Sequence, residues 1–287
     1  MKQLPIWMLL LISSQAAMSQ SNFKPNLFDQ DIHYYNPAHI PLDTGQNARI
    51  LLQGQYKVIA NESEVWQKNP NVYAAYTGRL KSTSSYVSGS ILYDQYSFFT
   101  RNVVSAGYTH VFQLNQRQRL SVGMMGKMSL DFMNLNQFVT YQDQNLGKRL
   151  NALPDLDAGI VYQSGRLMLG ISTRNVFNFS TKLEALVLTQ SQRAIHVNGS
   201  YLFSLGKNVS LKPFLMYSRE KRTTVDLGAH LRLYQKVGFG YYLSVLQLRG
   251  IYSMDIQVSP KMNLGISYDK SAIYTDHHVD FALRYRL

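Results

Sequence analysis

The chain has 287 residues, no cysteine, and 29 Lys and Arg against 17 Asp and Glu, with charged residues at only 16% of its length. The absence of cysteine excludes disulfides, zinc-thiolate sites and cysteine nucleophiles. The net charge of +12 does not indicate a nucleic-acid partner, because the basic residues are scattered singly; anionic outer-leaflet lipid, a basic lumen and an acidic partner are the open explanations.

A signal peptide is predicted at residues 1–19. The basic Lys2 precedes an apolar run from Leu4 to Ile12, and the small residues Ala17 and Ser19 favour cleavage after Ser19. The apolar run is about half as long as the roughly 20 residues that a membrane-spanning helix needs. The sequence therefore indicates a protein that is exported rather than anchored by this segment.

Residues 48–287 alternate between apolar and polar side chains, which is the pattern of strands with one apolar face. In the stretch 223–233, for example, the apolar positions alternate with Asp226 and Arg232. About fourteen segments follow this pattern, and no apolar run after the signal reaches the roughly 18 residues of a membrane helix. The sequence predicts an all-β fold: a transmembrane antiparallel β-barrel of about 14 strands, in the outer membrane of a Gram-negative bacterium and in contact with its lipid.

The connections between these segments provide a second test. Every second connection is short, beginning with 80–83 and 113–118, whereas 57–70, 130–155 and 174–192 are longer. Two of the connections expected to be long, near 219–222 and 244–245, are tight and weaken the test. Bacterial barrels have short turns in the periplasm and long loops outside. The N-terminal segment, residues 20–47, is therefore expected to be periplasmic.

No constellation of residues in the sequence indicates catalysis, a cofactor or a metal. Asp155 and Asp157 follow Pro154 and are expected at a turn that enters a strand, because a calcium loop needs more oxygen ligands. His277 and His278 would point to opposite faces of a strand, so we expect a pair exposed at the rim rather than metal ligands. The sequence predicts a protein that is not an enzyme.

Ten charged residues are predicted to face the lumen. They permit two interpretations: a lumen that favours anions, or ion pairs that fill the barrel and make it rigid. The second is favoured, because opposite charges on neighbouring strands pair with one another. The residues are Lys127, Asp157, Lys212, Asp226, Arg232, Arg249, Asp255, Asp280, Arg284 and Arg286.

Two stretches resemble a known family. The sequence Tyr34-Tyr35-Asn36-Pro37-Ala38 resembles the early Asn-Pro-Ala signature of the PorP/SprF family, outer-membrane proteins of the type IX secretion and gliding machinery. The stretch 153–160, followed by 169–172 and Asn175, is similar to the mid-chain pattern of that family. The chain departs from the family at one point. Family members usually have a Gly soon after Asn-Pro-Ala, whereas here six residues separate Ala38 from Gly45, so the conformation of this turn does not follow from the resemblance.

The resemblance implies a non-enzymatic barrel that contacts periplasmic secretion-complex proteins or holds a secreted adhesin at the cell surface. Because Pro37 fixes its own φ and keeps Asn36 extended, the segment Tyr34–Ala38 is a candidate either to plug the lumen or to dock a partner. It is equally compatible with merely closing one end of the barrel. A passive transporter or small porin, and a soluble periplasmic binding module, are the competing functions.

Overall fold

The computed structural model describes residues 23, 25–26, 31–40, 47–59, 67–81, 83–96, 99–134, 148–183, 186–190, 192–220, 223–271 and 276–287. The predicted signal peptide lies outside the described residues. Within them, helix is limited to the short 3-10 turns Ile32–Tyr34 and Val245–Gln247, and neither is long and apolar enough to cross a membrane.

Strands account for most of the described chain. The first begins at Ala48 and the last ends at Arg286. The strands are β1 Ala48–Ile59, β2 Gln67–Arg79, β3 Ser85–Tyr96, β4 Phe99–Gln113, β5 Gln118–Asn134, β6 Lys148–Ser164, β7 Leu167–Arg174, β8 Ser180–Leu183, β9 Leu186–Gln190, β10 Ala194–Tyr201, β11 Phe203–Ser204, β12 Val209–Arg219, β13 Thr223–Leu233, β14 Val237–Ser244, β15 Arg249–Gln257, β16 Met262–Ser271 and β17 Asp276–Arg286.

The strands form a closed antiparallel barrel. Each strand pairs with its neighbours along the chain, β1 pairs with β17, and β10 pairs with both β7 and β12. The short β11 continues β10 after a break at Leu202, and it pairs with the same neighbour, β12. We therefore count β10 and β11 together as one strand position of the barrel wall. Because β8 and β9 form a separate hairpin, the barrel has 14 positions, and the predicted strand count is confirmed.

The two faces of the barrel differ in the way that the alternation predicts. On β16 and β17, Ile266 and Phe281 are exposed on the outside, whereas their neighbours Ser267 and Asp280 are buried inside. The outer surface of a membrane barrel must be apolar, while the lumen accommodates polar groups. Among the described residues, closure gives every strand position of the barrel a hydrogen-bonded neighbour on both sides, as a barrel in lipid requires.

The two ends of the barrel differ in their connections. Six short connections lie at the end where β1 begins and β17 ends; together with the adjoining Arg79 we call them the short-turn rim, residues 79–84, 114–117, 165–166, 205–208, 234–236 and 258–261. Tight reversals there use the left-handed region, with φ of 53° at Gly165, 50° at Tyr234 and 53° at Gln235. The opposite end, with connections such as 135–147 and 175–193, is the long-loop end.

Two local expectations are wrong. Asp155 and Asp157 do not lie in a turn, because β6 begins at Lys148 and both carboxylates face the lumen from within that strand. His278 is not exposed at the rim: it is buried beside Asp269, with 3.5 Å between His278 Nδ1 and a carboxylate oxygen. In both cases polar partners inside the barrel offset the cost of burial.

Candidate functional site

The described part of the N-terminal segment lies inside the barrel. Ile32, Asn36 and Ala38 are completely buried, although they belong to no strand of the wall. Residues 31–40 contact inward-facing groups on opposite sides of the lumen. We call residues 31–40 the lumen segment.

Asn36 anchors the middle of the lumen segment. Its side-chain amide donates hydrogen bonds of 3.2 Å to the carbonyls of Ile160 in β6 and Ile171 in β7. Its side-chain oxygen accepts a 3.0 Å bond from the Ala38 amide, which closes a local turn. Asn36 fits against these strands because Gly159 and Gly170 stand beside it: a Cβ at Gly159 would collide with the Asn36 side chain, and a Cβ at Gly170 would lie only 3.0 Å from Asn36 Nδ2.

The backbone around Asn36 is held by hydroxyl groups of the wall. Ser172 of β7 donates a 2.8 Å hydrogen bond to the Tyr35 carbonyl, and Thr109 of β4 donates a 2.8 Å bond to the Pro37 carbonyl. Pro37 also lies against Gly123 of β5, where a Cβ would collide with its carbonyl group. The middle of the lumen segment is therefore attached to the neighbouring strands β4 to β7.

Tyr34 is the centre of an aromatic cluster. Its ring packs edge-on against Phe23, Tyr35 and Tyr73, with centroid distances of 5.5, 5.0 and 5.4 Å. The guanidinium of Arg174, the last residue of β7, lies 4.3 Å from the centroid of the Tyr34 ring. This cation–π contact joins the lumen segment to the start of the 175–193 loop.

Asp31, the first residue of the lumen segment, is attached to the junction of the first and last strands, β1 and β17. Its two carboxylate oxygens lie 2.9 Å from Arg49 of β1 and 3.3 Å from Arg284 of β17. All three side chains are at most 10% exposed. Two charge-assisted contacts at a buried carboxylate make this the strongest electrostatic attachment of the segment.

Asp280 holds the chain that precedes the lumen segment. Its carboxylate accepts hydrogen bonds from the Asn26 backbone amide at 2.8 Å and the Asn26 side chain at 3.3 Å. Gln53 and Gln55 of β1 each donate a further 3.0 Å bond to it. Asp280 thus joins β1, β17 and the chain near Asn26.

His33 is a buried imidazole in the lumen segment. Its Nδ1 lies 2.9 Å from the carbonyl of His39, and the ring is 7% exposed. Burial lowers the pKa of His33 below its usual 6.5 and Arg49 acts in the same direction, against the hydrogen bond to His39 and the charge of Asp31. The imidazole is therefore neutral at pH 7.

All ten charges predicted for the lumen occupy inward positions, and most are paired with the opposite charge. Asp226 is fully buried, Lys212 and Arg286 are half-buried, and all three take part in interactions. The ion-pair distances in the wall are 2.6 Å for Lys127–Asp157, 3.4 Å for Arg174–Asp157, 2.8 Å for Arg101–Asp131, 3.0 Å for Arg232–Asp255 and 3.1 Å for Arg249–Asp269. Two imidazoles also contact these carboxylates, with distances of 2.7 Å for His230–Asp255 and 3.5 Å for His278–Asp269.

Several members of this network are absent from the predicted set. Arg49, Arg101, Asp131, Arg174 and Asp269 all stand at inward positions of their strands, so the alternation contained the signal for them. Asp31 carried no such signal, because it precedes the first strand.

The carboxylates of Asp155 and Asp157 have protein partners. Asp155 accepts hydrogen bonds from the Phe177 amide at 3.1 Å and from its neighbour Leu156, and Asp157 accepts one from the Asn175 amide at 2.8 Å. Both thus fix the chain that leaves β7. Among the described residues, no group of three or more His, Asp or Glu side chains is arranged to hold a metal ion.

Solved structures of outer-membrane proteins share this fold. The outer membrane protein Omp33 of Acinetobacter baumannii aligns with a TM-score of 0.55 at 7% identity, over 84% of this chain and 98% of its own. The toluene transporter TbuX of Ralstonia pickettii gives 0.54 at 10% identity, over 90% and 94%. A FadL homologue of Pseudomonas aeruginosa gives 0.52 at 10% identity, over 94% and 96%. At these identities the likeness shows the barrel fold alone.

The sequence itself matches a family model. No curated protein matches the chain. However, the family described as type IX secretion system membrane protein PorP/SprF matches residues 17–278. The match includes the lumen segment and nearly all of the barrel that surrounds it. The chain therefore belongs to the PorP/SprF family of type IX secretion system membrane proteins.

Proposed function

We propose that this protein is a non-enzymatic outer-membrane component of a type IX secretion or gliding machinery, with a lumen closed by its own N-terminal segment. In this proposal residues 1–19 are removed on export, residues 20–47 enter the lumen from the periplasm, and residues 48–287 form the barrel. The barrel contacts periplasmic complex proteins or anchors a secreted surface protein. Family membership supports the secretion role.

The observation that carries the proposal is the attachment of the lumen segment to many strands at once. It forms hydrogen bonds or ion pairs with residues of β1, β4, β6, β7 and β17. A solute channel needs a continuous open path, whereas a scaffold for other proteins gains rigidity from a filled interior. The buried contacts of Asn36 and Asp31 therefore favour the scaffold.

The long-loop end is the proposed contact surface for a secreted protein. The 175–193 connection carries the β8–β9 hairpin, and its first residues are fixed by Asp155 and Asp157. Through Arg174 and Tyr34 the same loop is joined to the lumen segment. A large ligand would thus meet a surface held in place from inside the barrel.

A passive transporter or small porin is the second candidate, and one observation favours it. A cavity of about 130 Å³ lies above the lumen segment in the long-loop half of the barrel. Aromatic rings of Tyr34 and Tyr73 line it together with Arg101, Lys127 and Asp157. Such a mixture of apolar and charged groups is typical of a small-molecule site.

Affinity purification and conductance together separate the two functions. A tagged copy is purified from detergent-solubilised outer membrane, and its partners are identified by mass spectrometry; the secretion role predicts periplasmic complex proteins or a surface adhesin in the eluate. The purified barrel is then inserted into planar bilayers. A barrel that elutes alone and conducts steadily contradicts the secretion proposal and supports the porin.

A further inference from the structure

Basic side chains occupy every turn of the short-turn rim. Each of the six connections has at least one exposed Lys or Arg, and none contains an acidic residue. Within the described chain, none of these basic side chains forms an ion pair with a carboxylate. The seven residues are Arg79, Lys81, Arg117, Arg166, Lys207, Lys236 and Lys261.

Apolar side chains are interleaved with these charges on the outer surface. Leu114, Leu205 and Val258 are each more than half exposed and continue the outward faces of β4, β11 and β15 beyond the ends of those strands. Leu80 and Tyr234 are exposed in the same way, the latter at 69%. An apolar surface bordered by Lys and Arg suits the boundary between acyl chains and headgroups, because long basic side chains extend their charge into the polar layer.

The distribution of the charges around the barrel distinguishes between possible partners. The six turns lie at every second strand junction, so they surround the whole circumference. For a protein that docks on one side of the barrel, we would expect complementary charges on one part of the circumference only. A lipid leaflet surrounds the barrel completely, as these charges do.

The opposite end lacks this uniform sign. Among its described residues, exposed Arg193, Arg219 and Lys270 are accompanied by Glu220. Among the described residues, the short-turn rim thus has exposed basic side chains and no acidic one, whereas the opposite end carries both signs. We propose that the short-turn rim binds the phosphate-bearing headgroups of anionic phospholipids in the leaflet around it, which sets the depth of the barrel in the membrane.

Lipid enrichment tests this proposal directly. The full-length mature protein is purified in detergent, reconstituted with phosphatidylethanolamine and phosphatidylglycerol in a three-to-one mixture, and isolated with its tightly bound lipid for quantification. A basic residue near an anionic surface contributes roughly a fivefold gain in affinity. We expect phosphatidylglycerol to be enriched over its bulk fraction, and 0.5 M salt to reduce the enrichment because it screens exposed charges.

A matched pair of triple variants localises the effect. The rim variant carries Arg117→Gln, Arg166→Gln and Lys207→Gln, and the control carries Arg193→Gln, Arg219→Gln and Lys270→Gln at the long-loop end. We expect the rim variant to lose at least half of the enrichment and the control to retain it, with heat-modifiable mobility in gels reporting the folding of each.

Three results would overturn the proposal. The wild-type barrel could show no preference for phosphatidylglycerol, or the two triple variants could lose the enrichment equally. The third is that an acidic periplasmic protein co-purifies with the wild type and not with the rim variant while lipid enrichment is absent, which would make the rim a protein-docking surface. If the rim variant fails to fold, the wild-type barrel provides the test. Enrichment that falls in 0.5 M salt supports the proposal, and enrichment that salt does not change contradicts it.

Discussion

Neutralising Asp31 should release the lumen segment while leaving the wall intact. Asp31→Asn removes the charge that joins Arg49 and Arg284, and leaves these two guanidinium groups buried without their shared partner. Removing one partner of a buried ion pair costs about 3–5 kcal/mol. Because the side chains are nearly buried, solvent screening reduces this value little, and we take about 3 kcal/mol as the expected cost.

The absence of cysteine makes the release measurable. Ala38→Cys places a single thiol at a completely buried position of the lumen segment, where a water-soluble maleimide reacts only when the segment leaves its site. A cost of about 3 kcal/mol corresponds to a factor of roughly 150 in the opening equilibrium. Asp31→Asn should therefore accelerate labelling of Ala38→Cys about a hundredfold.

Asp255→Asn is the matched control for this prediction. Asp255 is as buried as Asp31 and contacts His230 and Arg232, which belong to strand β13 of the wall. Its neutralisation should leave the labelling rate within about threefold of the parent, because distant sites act independently. Equal acceleration in both variants, or none in Asp31→Asn, would refute the assigned role of Asp31.

Three further changes probe other attachments of the lumen segment. Asn36→Ala removes two hydrogen bonds to strand carbonyls and should increase brief openings in planar bilayers roughly fivefold or more, for a cost of about 1–3 kcal/mol. Docking favours the neutral imidazoles of His33 and His39, because desolvation lowers the pKa of both. Attachment should therefore weaken as pH falls below 6.5, and openings should be more frequent at pH 5 than at pH 7.5. His33→Gln should reduce that difference without abolishing it, because His39 titrates in the same direction. Arg174→Gln removes the contact with Tyr34 and should increase protease cleavage in the 175–193 loop, whereas Arg219→Gln should not.

The barrel wall was predictable because lipid imposes a simple rule on each strand. Tyr252 and Tyr268 had to face outward and Asp255 inward once the alternation was recognised, and the structure has these orientations. The same rule predicted the strand count and the inward charges. It failed at Asp155 because Pro154 suggested a turn, whereas the strand continues through it with Pro154 opposite Met128.

The contacts of the lumen segment could not be predicted from the sequence. Asn36 reaches the carbonyls of Ile160 and Ile171, which lie 124 and 135 positions away. Backbone carbonyls carry no sequence signal, and the glycines that admit Asn36, Gly159 and Gly170, are each one position closer to it than these isoleucines. The β8–β9 hairpin was missed because its short strands lie in a stretch predicted as a loop.

The position of Asp31 and Asp280 at the junction of β1 and β17 has a consequence for how the barrel is assembled. These two strands are the first and the last to be synthesised, and each is joined to the chain that precedes β1. Of the two arginines that pair with Asp31, Arg49 belongs to β1 and Arg284 to β17, so the second pair can form only after β17 has been synthesised. The contacts that hold the N-terminal chain in the lumen therefore also hold the first and last strands together, so each arrangement stabilises the other.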